Sequence, residues 1–191
     1  MEGWCRQMWY DETGLPWVLP SPNMPTLDTA TVFPGMVHVE GTTISEGRGT
    51  TRPFEIMGAP YIDPYALVES LEAEAIEGWR LRPCFFQPTF QKHVGELCGG
   101  LQIHLTDREA FPSVLAGVAI LRAIHGLYPD RFEWKQPPYE YVHDRLPFDV
   151  IAGTARLRED IVAGTPLEEI EGGWREGIEA FVERRRAALI Y

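Results

Sequence analysis

Prolines at positions 16, 20, 22, 25 and 34 break up the first sixty residues of the chain. Each fixes its own φ, removes a backbone donor and pushes the residue before it toward extended geometry, so no helix beyond a turn or two is expected there. The next stretch is no more regular. Glu40-Gly41-Thr42-Thr43-Ile44-Ser45-Glu46-Gly47-Arg48-Gly49-Thr50-Thr51-Arg52-Pro53-Phe54-Glu55 carries three carboxylates, two arginines and five hydroxyls against two large apolar side chains. It is too polar for a core element. Gly47 and Gly49 flank Arg48, so the backbone there is free to turn left-handed, approach a ligand and gather its N–H groups into a nest for an anion or polar oxygen. A solvated loop held by hydroxyl-to-backbone bonds is the plainer alternative.

Around this strip the pattern predicts short elements. Trp17-Val18-Leu19 reads as a buried strand ended by Pro20, with Asn23 in the following turn, placed at a strand end where α/β clefts open. Val37–Val39 reads as a second short strand. Asp63-Pro64 reads as the cap and first residue of a helix whose apolar face is Leu67, Val68, Leu71 and Ala75, stopped by Gly78. Trp79 to Gln87 reads as a strand, and Pro83 assigns it to an edge or a bulge. From Cys98 to Thr106, Leu101, Ile103 and Leu105 alternate with Gln102, His104 and Thr106, a strand with one dry and one wet side.

Asp107 is expected to cap an amphipathic helix running through Phe111, Val114, Leu115, Val118, Leu121 and Ile124 to near Tyr128-Pro129. Residues 130–144 form an aromatic, proline-bearing loop, read as packed surface in preference to a sugar-stacking platform. Thr154 opens a helix with Leu157 and Ile161, closed by Gly164. Thr165-Pro166-Leu167-Glu168 reads as a capping box. Leu167, Ile170, Trp174, Ile178 and Phe181 then recur at helical spacing as a core stripe. Arg184–Arg186 complements the dipole of the last turn. The fold class is therefore α/β (α+β): a Pro/Gly-rich N-terminal arm, a small mixed sheet, amphipathic helices and a helical C-terminus.

Apolar content of 45% is enough for a real core, and a net charge of -11 disfavours both nucleic-acid backbones and anionic lipid. No apolar run approaches a membrane span. The start, Met1-Glu2-Gly3-Trp4-Cys5-Arg6, has no secretory pattern. The chain as it stands would be cytoplasmic, and an upstream signal would make it periplasmic or secreted. Cys5, Cys84 and Cys98 lack Cys-x-x-Cys spacing and read as free thiols, the last two packed as small apolar groups. His93 and His104 lack zinc-site company, which leaves His93 as a ligand-contacting or hydrogen-bonded residue. Neither a P-loop, a dinucleotide fingerprint nor a Gly-x-Ser-x-Gly elbow is present, and no cofactor is expected.

The wording of the chain also carries a resemblance. Thr13-Gly14-Leu15-Pro16-Trp17-Val18-Leu19-Pro20-Ser21-Pro22-Asn23-Met24-Pro25-Thr26, Phe33-Pro34-Gly35, the polar strip, Gly58-Ala59-Pro60-Tyr61-Ile62-Asp63, Pro88-Thr89-Phe90-Gln91-Lys92-His93 and Cys98-Gly99-Gly100-Leu101-Gln102 occur in that order. Together they resemble the C-terminal half of the bacterial exo-β-N-acetylmuramidases, glycoside hydrolase family 171. The resemblance implies a missing Rossmann-like N-terminal half that holds much of the cleft. Residues 1–60 would be a cleft-lining remnant of it, and residues 61–191 an auxiliary α/β domain.

It implies a peptidoglycan-derived sugar as partner and release of terminal N-acetylmuramic acid from the non-reducing end. Glycosidases work with paired carboxyl groups, and within the strip Glu46 would be a polar anchor on sugar hydroxyls or one catalytic carboxylate. Glu40, Thr50, Thr51, Asn23 and His93 would bind substrate. Arg48 or Arg52 would grip the lactyl carboxylate with a guanidinium fork. The alternatives are a non-catalytic muramic-sugar-binding module and an inactive fragment that needs its missing half.

Overall fold

The computed structural model describes residues 2–190; Met1 and Tyr191, the outer ends of the two expected domains, lie outside the described residues. The first regular helix, α1 (Leu27–Met36), arises where the prolines argue against one. Thr26 caps it, its hydroxyl accepting from Thr29 N at 3.1 Å. Pro34 sits in the last turn, where its missing donor removes a single intrahelical bond and the chain leaves the α-helix two residues later. The expected strand at Val37–Val39 is instead a 3₁₀ turn over Val37–Gly41. The expected strand at Trp17–Leu19 is exposed coil, with Val18 74% accessible. Alternation and bulk alone do not make a strand; among the described residues neither segment has a strand to pair with.

The small sheet is ordered β1 (Ile56–Ala59), β3 (Cys98–Leu105), β2 (Trp79–Phe86). Both ladders run antiparallel, and the parallel component of the expected mixed sheet is an isolated bridge between Pro53 and Ile56. β3 is central, which explains the burial of Leu101 and Ile103 on its dry side and the exposure of His104 on its wet side. β2 is an edge strand, the position that tolerates Pro83.

α2 (Pro64–Glu72) begins as read, with Asp63 accepting from the N–H groups of Tyr65 and Ala66, but it ends at Glu72, short of Gly78. Asp107 does not cap the long helix. It accepts from Glu109 and Ala110 N–H groups in a local turn, and α3 (Ser113–Leu127) starts six residues on, after Pro112. α3 is the axle of the molecule. Ala116, Gly117, Val118, Ala119, Ile120, Leu121 and Ile124 are buried on nearly all its sides, between α1, α2 and the C-terminal helices.

A Cβ on Gly35 would lie 1.7 Å from the Ser113 carbonyl oxygen, and one on Gly117 2.4 Å from that of Gly35. The α1–α3 crossing therefore depends on backbone meeting backbone. Residues 27–59 are thus packed into the same core as the residues that follow them.

α4 (Pro147–Ala152), α5 (Arg156–Ala163), α6 (Leu167–Gly172) and α7 (Arg175–Arg185) complete the chain. The capping box at Thr165 does not form: its hydroxyl points to Asp160 at 3.5 Å, and Pro166 occupies the cap without a side-chain bond. Leu167 and Ile170 are buried and Trp174 packs against the core, but Ile178 and Phe181 are half exposed, so the stripe is core only in its first half. Cys84 and Cys98 are buried thiols, and burial pushes the Cys98 thiol up to about 11. No helix among the described residues is long and apolar enough to cross a membrane.

Candidate active site

The polar strip does not lie idle on the surface. It is threaded through the body: Ser45 and Gly58 exchange N–H···O bonds of 2.9 and 3.0 Å along the free edge of β1, and Phe54 N donates to the Glu46 carbonyl. Ser45, Glu46 and Glu55 are buried. Gly47 and Gly49 are left-handed, at φ +77° and +81°, but the close approach they permit is to the protein itself. A Cβ on Gly47 would meet the Ile56 carbonyl oxygen at 2.3 Å, and one on Gly49 the Phe90 backbone at 2.7 Å. The loop also uses its own donors. Gly47 N–H goes to the Ser45 hydroxyl, Thr50 N–H to the Gly47 carbonyl and Arg52 N–H to the Thr50 hydroxyl. The N–H groups of Gly47, Thr50 and Arg52 are thereby spent inside the loop.

What the strip builds instead is a charged cluster. Glu46 takes a hydrogen bond from Arg48 Nε at 3.0 Å on one oxygen and from Lys92 Nζ at 2.8 Å on the other. The Arg48 guanidinium also bridges to Glu40, and its plane lies over the Phe54 ring at 5.1 Å. Glu40 accepts from the Tyr139 hydroxyl at 3.3 Å. Lys92 directs its other two protons to the carbonyls of Val39 and Ile44, at 3.1 and 2.9 Å. An ammonium has three donors, so Lys92 is saturated. Burial lowers the Lys92 pKa, with the attraction of Glu46 acting against it. Burial, then the charge of Glu40, raises that of Tyr139.

The cluster lines an open hollow of about 250 Å³. One wall is the strip, with Glu40, Glu46 and Arg48. The second is the segment after β2, with Gln91 and Lys92. The third is the aromatic loop, with Lys135, Pro138, Tyr139 and Glu140. The aromatic loop is held by backbone bonds from Thr43 N to the Glu133 carbonyl and from Lys135 N to the Gly41 carbonyl, and by Trp134 packing edge-on to Phe132 and Phe148. The segment after β2 is held by Thr89, whose N–H and hydroxyl both donate to the Gly49 carbonyl.

Of the residues singled out from the sequence, Glu40, Glu46 and Arg48 meet here. His93 stands just outside, its Nε2 donating to the Thr43 carbonyl at 2.9 Å and its Nδ1 3.5 Å from Glu96. Thr50 spends its hydroxyl on the Gly47 carbonyl at 2.6 Å, and Thr51 is exposed. Arg52 turns to the other side of the strip, where it pairs with buried Glu55 at 3.3 Å beside a second hollow of about 160 Å³. Glu55 is fixed there by the hydroxyls of Thr29 and Thr26 at 2.5 and 3.1 Å. Asn23 lines neither hollow, and its backbone N–H closes a turn onto the Ser21 hydroxyl.

Sequence reasoning passed over Lys92, Lys135 and Tyr139. Lys92 stood inside a quoted motif, between Gln91 and His93; the other two lay in a loop read as packing. Among the described residues no three His, Cys, Asp or Glu side chains gather to hold a metal ion.

A compact α/β domain with one buried, cation-bridged carboxylate cluster opening into a polar hollow is the class defined so far. Comparison with known proteins gives the family. Residues 31–191 match the model of the C-terminal part of the exo-β-N-acetylmuramidase NamZ, and residues 1–28 match that of its N-terminal part. The chain is 42% identical over 191 residues to the peptidoglycan β-N-acetylmuramidase NamZ of Bacillus subtilis (strain 168), covering all of this chain and 44% of that protein. It belongs to the NamZ exo-β-N-acetylmuramidase family.

Two crystal structures of DUF1343 family proteins from Bacteroides fragilis NCTC 9343 share the fold. One has a TM-score of 0.84 at 24% identity, over 99% of this chain and 49% of that one. The other has a TM-score of 0.63 at 26% identity, over 91% and 43%. The chain therefore spans less than half the length of each of these relatives.

Proposed function

We propose that this chain forms one wall of an exo-acting β-N-acetylmuramidase cleft, with the hollow at Glu46 facing the sugar. The reaction would free a terminal N-acetylmuramic acid from the non-reducing end of peptidoglycan fragments. The observation that carries the reading is the Glu40–Arg48–Glu46–Lys92 cluster, drawn from two separate segments to line one hollow, in a chain that belongs to this family.

The bonding within the cluster favours a positioning role for Glu46. Each of its oxygens already receives a bond from a cation, and the lone pairs left over are free to accept from sugar hydroxyls. In this reading the rest of the catalytic machinery would lie in a Rossmann-like half, and relatives of about twice this length or more are in keeping with it. A muramic-sugar-binding module is the second reading, and it rests on the same saturated cluster.

Hydrolysis of a chromogenic N-acetylmuramide by this chain joined to the N-terminal half of a relative separates the two. Turnover that falls with Glu46→Gln supports the enzyme. Sugar binding without turnover supports the module, and absence of both would refute the cleft.

A further inference from the structure

The cations that line the hollow differ in how much bonding capacity they have left. Arg48 is shared between Glu40 and Glu46, and Lys92 has a protein acceptor for each of its three protons. The charges of these four groups balance. Lys135 is different. Its side chain is exposed, lines the same hollow, and its ammonium has no hydrogen-bond or ion-pair partner among the described residues. Its backbone is not loose, because Lys135 N donates to the Gly41 carbonyl at 2.9 Å, next to Glu40.

Two residues that line the hollow beside it hold left-handed backbone conformations without being glycine, Gln91 at φ 68° and Glu140 at φ 51°. Such conformations cost free energy and persist where the surrounding structure enforces them, often at ligand sites. Among the described residues their side chains make no hydrogen bond, so Lys135, Gln91 and Glu140 form a rim of unpaired polar groups above a charge-balanced floor.

N-acetylmuramic acid differs from N-acetylglucosamine by a lactyl ether that ends in a carboxylate. The two floor cations already have their charge matched by Glu40 and Glu46. We propose that Lys135 is the residue that binds the lactyl carboxylate and sets the preference for muramic over glucosamine sugars. The inference rests on the hollow being the sugar site, and it moves the carboxylate contact away from Arg48. An ammonium on a partly solvated rim gives a modest, salt-screened contact, so the effect belongs to selectivity.

The test is an NMR titration of this chain with N-acetylmuramic acid, its methyl ester and N-acetylglucosamine, repeated for Lys135→Met and Lys135→Arg. The wild-type chain should prefer N-acetylmuramic acid to the other two. Lys135→Met should lower its affinity for that sugar about fivefold, the range of a solvated ion pair, and leave N-acetylglucosamine unchanged. Lys135→Arg should keep most of the preference, and added salt should erode it.

An intact preference in Lys135→Met, or equal loss for both sugars, overturns the assignment while leaving the hollow as the sugar site. Failure of the wild-type chain to bind either sugar overturns the sugar-site reading itself, and the role of Lys135 with it.

Discussion

Lys92 is the residue on which the site's geometry turns. Its ammonium ties the Val39 and Ile44 carbonyls to the Glu46 carboxylate, so one side chain sets where the strip enters and leaves the hollow. Removing one member of a mostly buried ion pair leaves the other without its partner. Lys92→Met should therefore lower unfolding free energy in urea by about 2–3 kcal/mol, below the full buried-pair figure because Lys92 keeps some solvent contact. Glu46→Gln, which keeps shape and an acceptor, should cost less.

Tyr61 gives a residue-scale prediction in pH. Its hydroxyl is buried without a hydrogen-bond partner among the described residues, and burial raises its pKa from 10.0 to about 12, with Arg131 acting against the rise. The unfolded chain releases this proton first, so the Tyr61 contribution is whole below pH 10 and is lost as pH climbs from 10 toward 12. Lys92 works in the opposite sense: its folded pKa is depressed, so its contribution grows as pH rises toward the unfolded value of 10.5. The Tyr61 effect is isolated by difference. Urea midpoints of Tyr61→Phe should equal or exceed wild type near neutrality and fall less steeply between pH 10 and 12.

Among single residues, the meeting of Glu40, Glu46 and Arg48 at one hollow follows from their sharing a polar, glycine-hinged strip. Lys92, Lys135 and Tyr139 were not legible in the sequence, because their roles come from long-range partners such as Val39, Gly41 and Glu40, which spacing along the chain does not reveal.

At the scale of elements, α1 is the instructive case. Proline density argued against a helix, yet Thr26 supplies the cap, Pro34 falls in the final turn, and packing against α3 supplies the rest. Thr26 also donates to buried Glu55, so Thr26→Ala should lower stability by about 1–2 kcal/mol, measured by urea denaturation. Gly117 faces the Gly35 carbonyl across the crossing, with no side chain there able to give way. Gly117→Ala should cost about 3 kcal/mol, as overpacking of a tight core does, and should show as a large drop in Tm.

The strands at β2 and β3 and the start of α2 were readable from alternation, Pro83 and the Asp63-Pro64 cap, all of them local signals. The starts of α3 and α6 were misplaced for one shared reason. Asp107 and Thr165 are good cap residues that found closer partners, in a local turn and in Asp160.

For the whole molecule, the sequence pattern identifies apolar faces but not what lies opposite them. The stripe from Leu167 to Phe181 is continuous, yet the core ends at Trp174, and α7 has no buried residue. Ending the chain after Trp174 should shift the urea midpoint only slightly, whereas Ile170→Ala should destabilise by about 2–4 kcal/mol. Exposed Leu15, Val18 and Leu19 on the arm, and Phe85, Phe90, Val94 and Leu97 around the β2–β3 connection, belong to the same picture.

If the hollow beside Glu46 receives the muramic sugar, a residue-resolved amide NMR titration of the chain with N-acetylmuramic acid should give shifts concentrated at Glu40, Glu46, Gln91 and Tyr139. Shifts confined to the far groove between α3 and α5, around Arg122 and Gly164, or no saturable shift at all, would contradict that placement of the sugar.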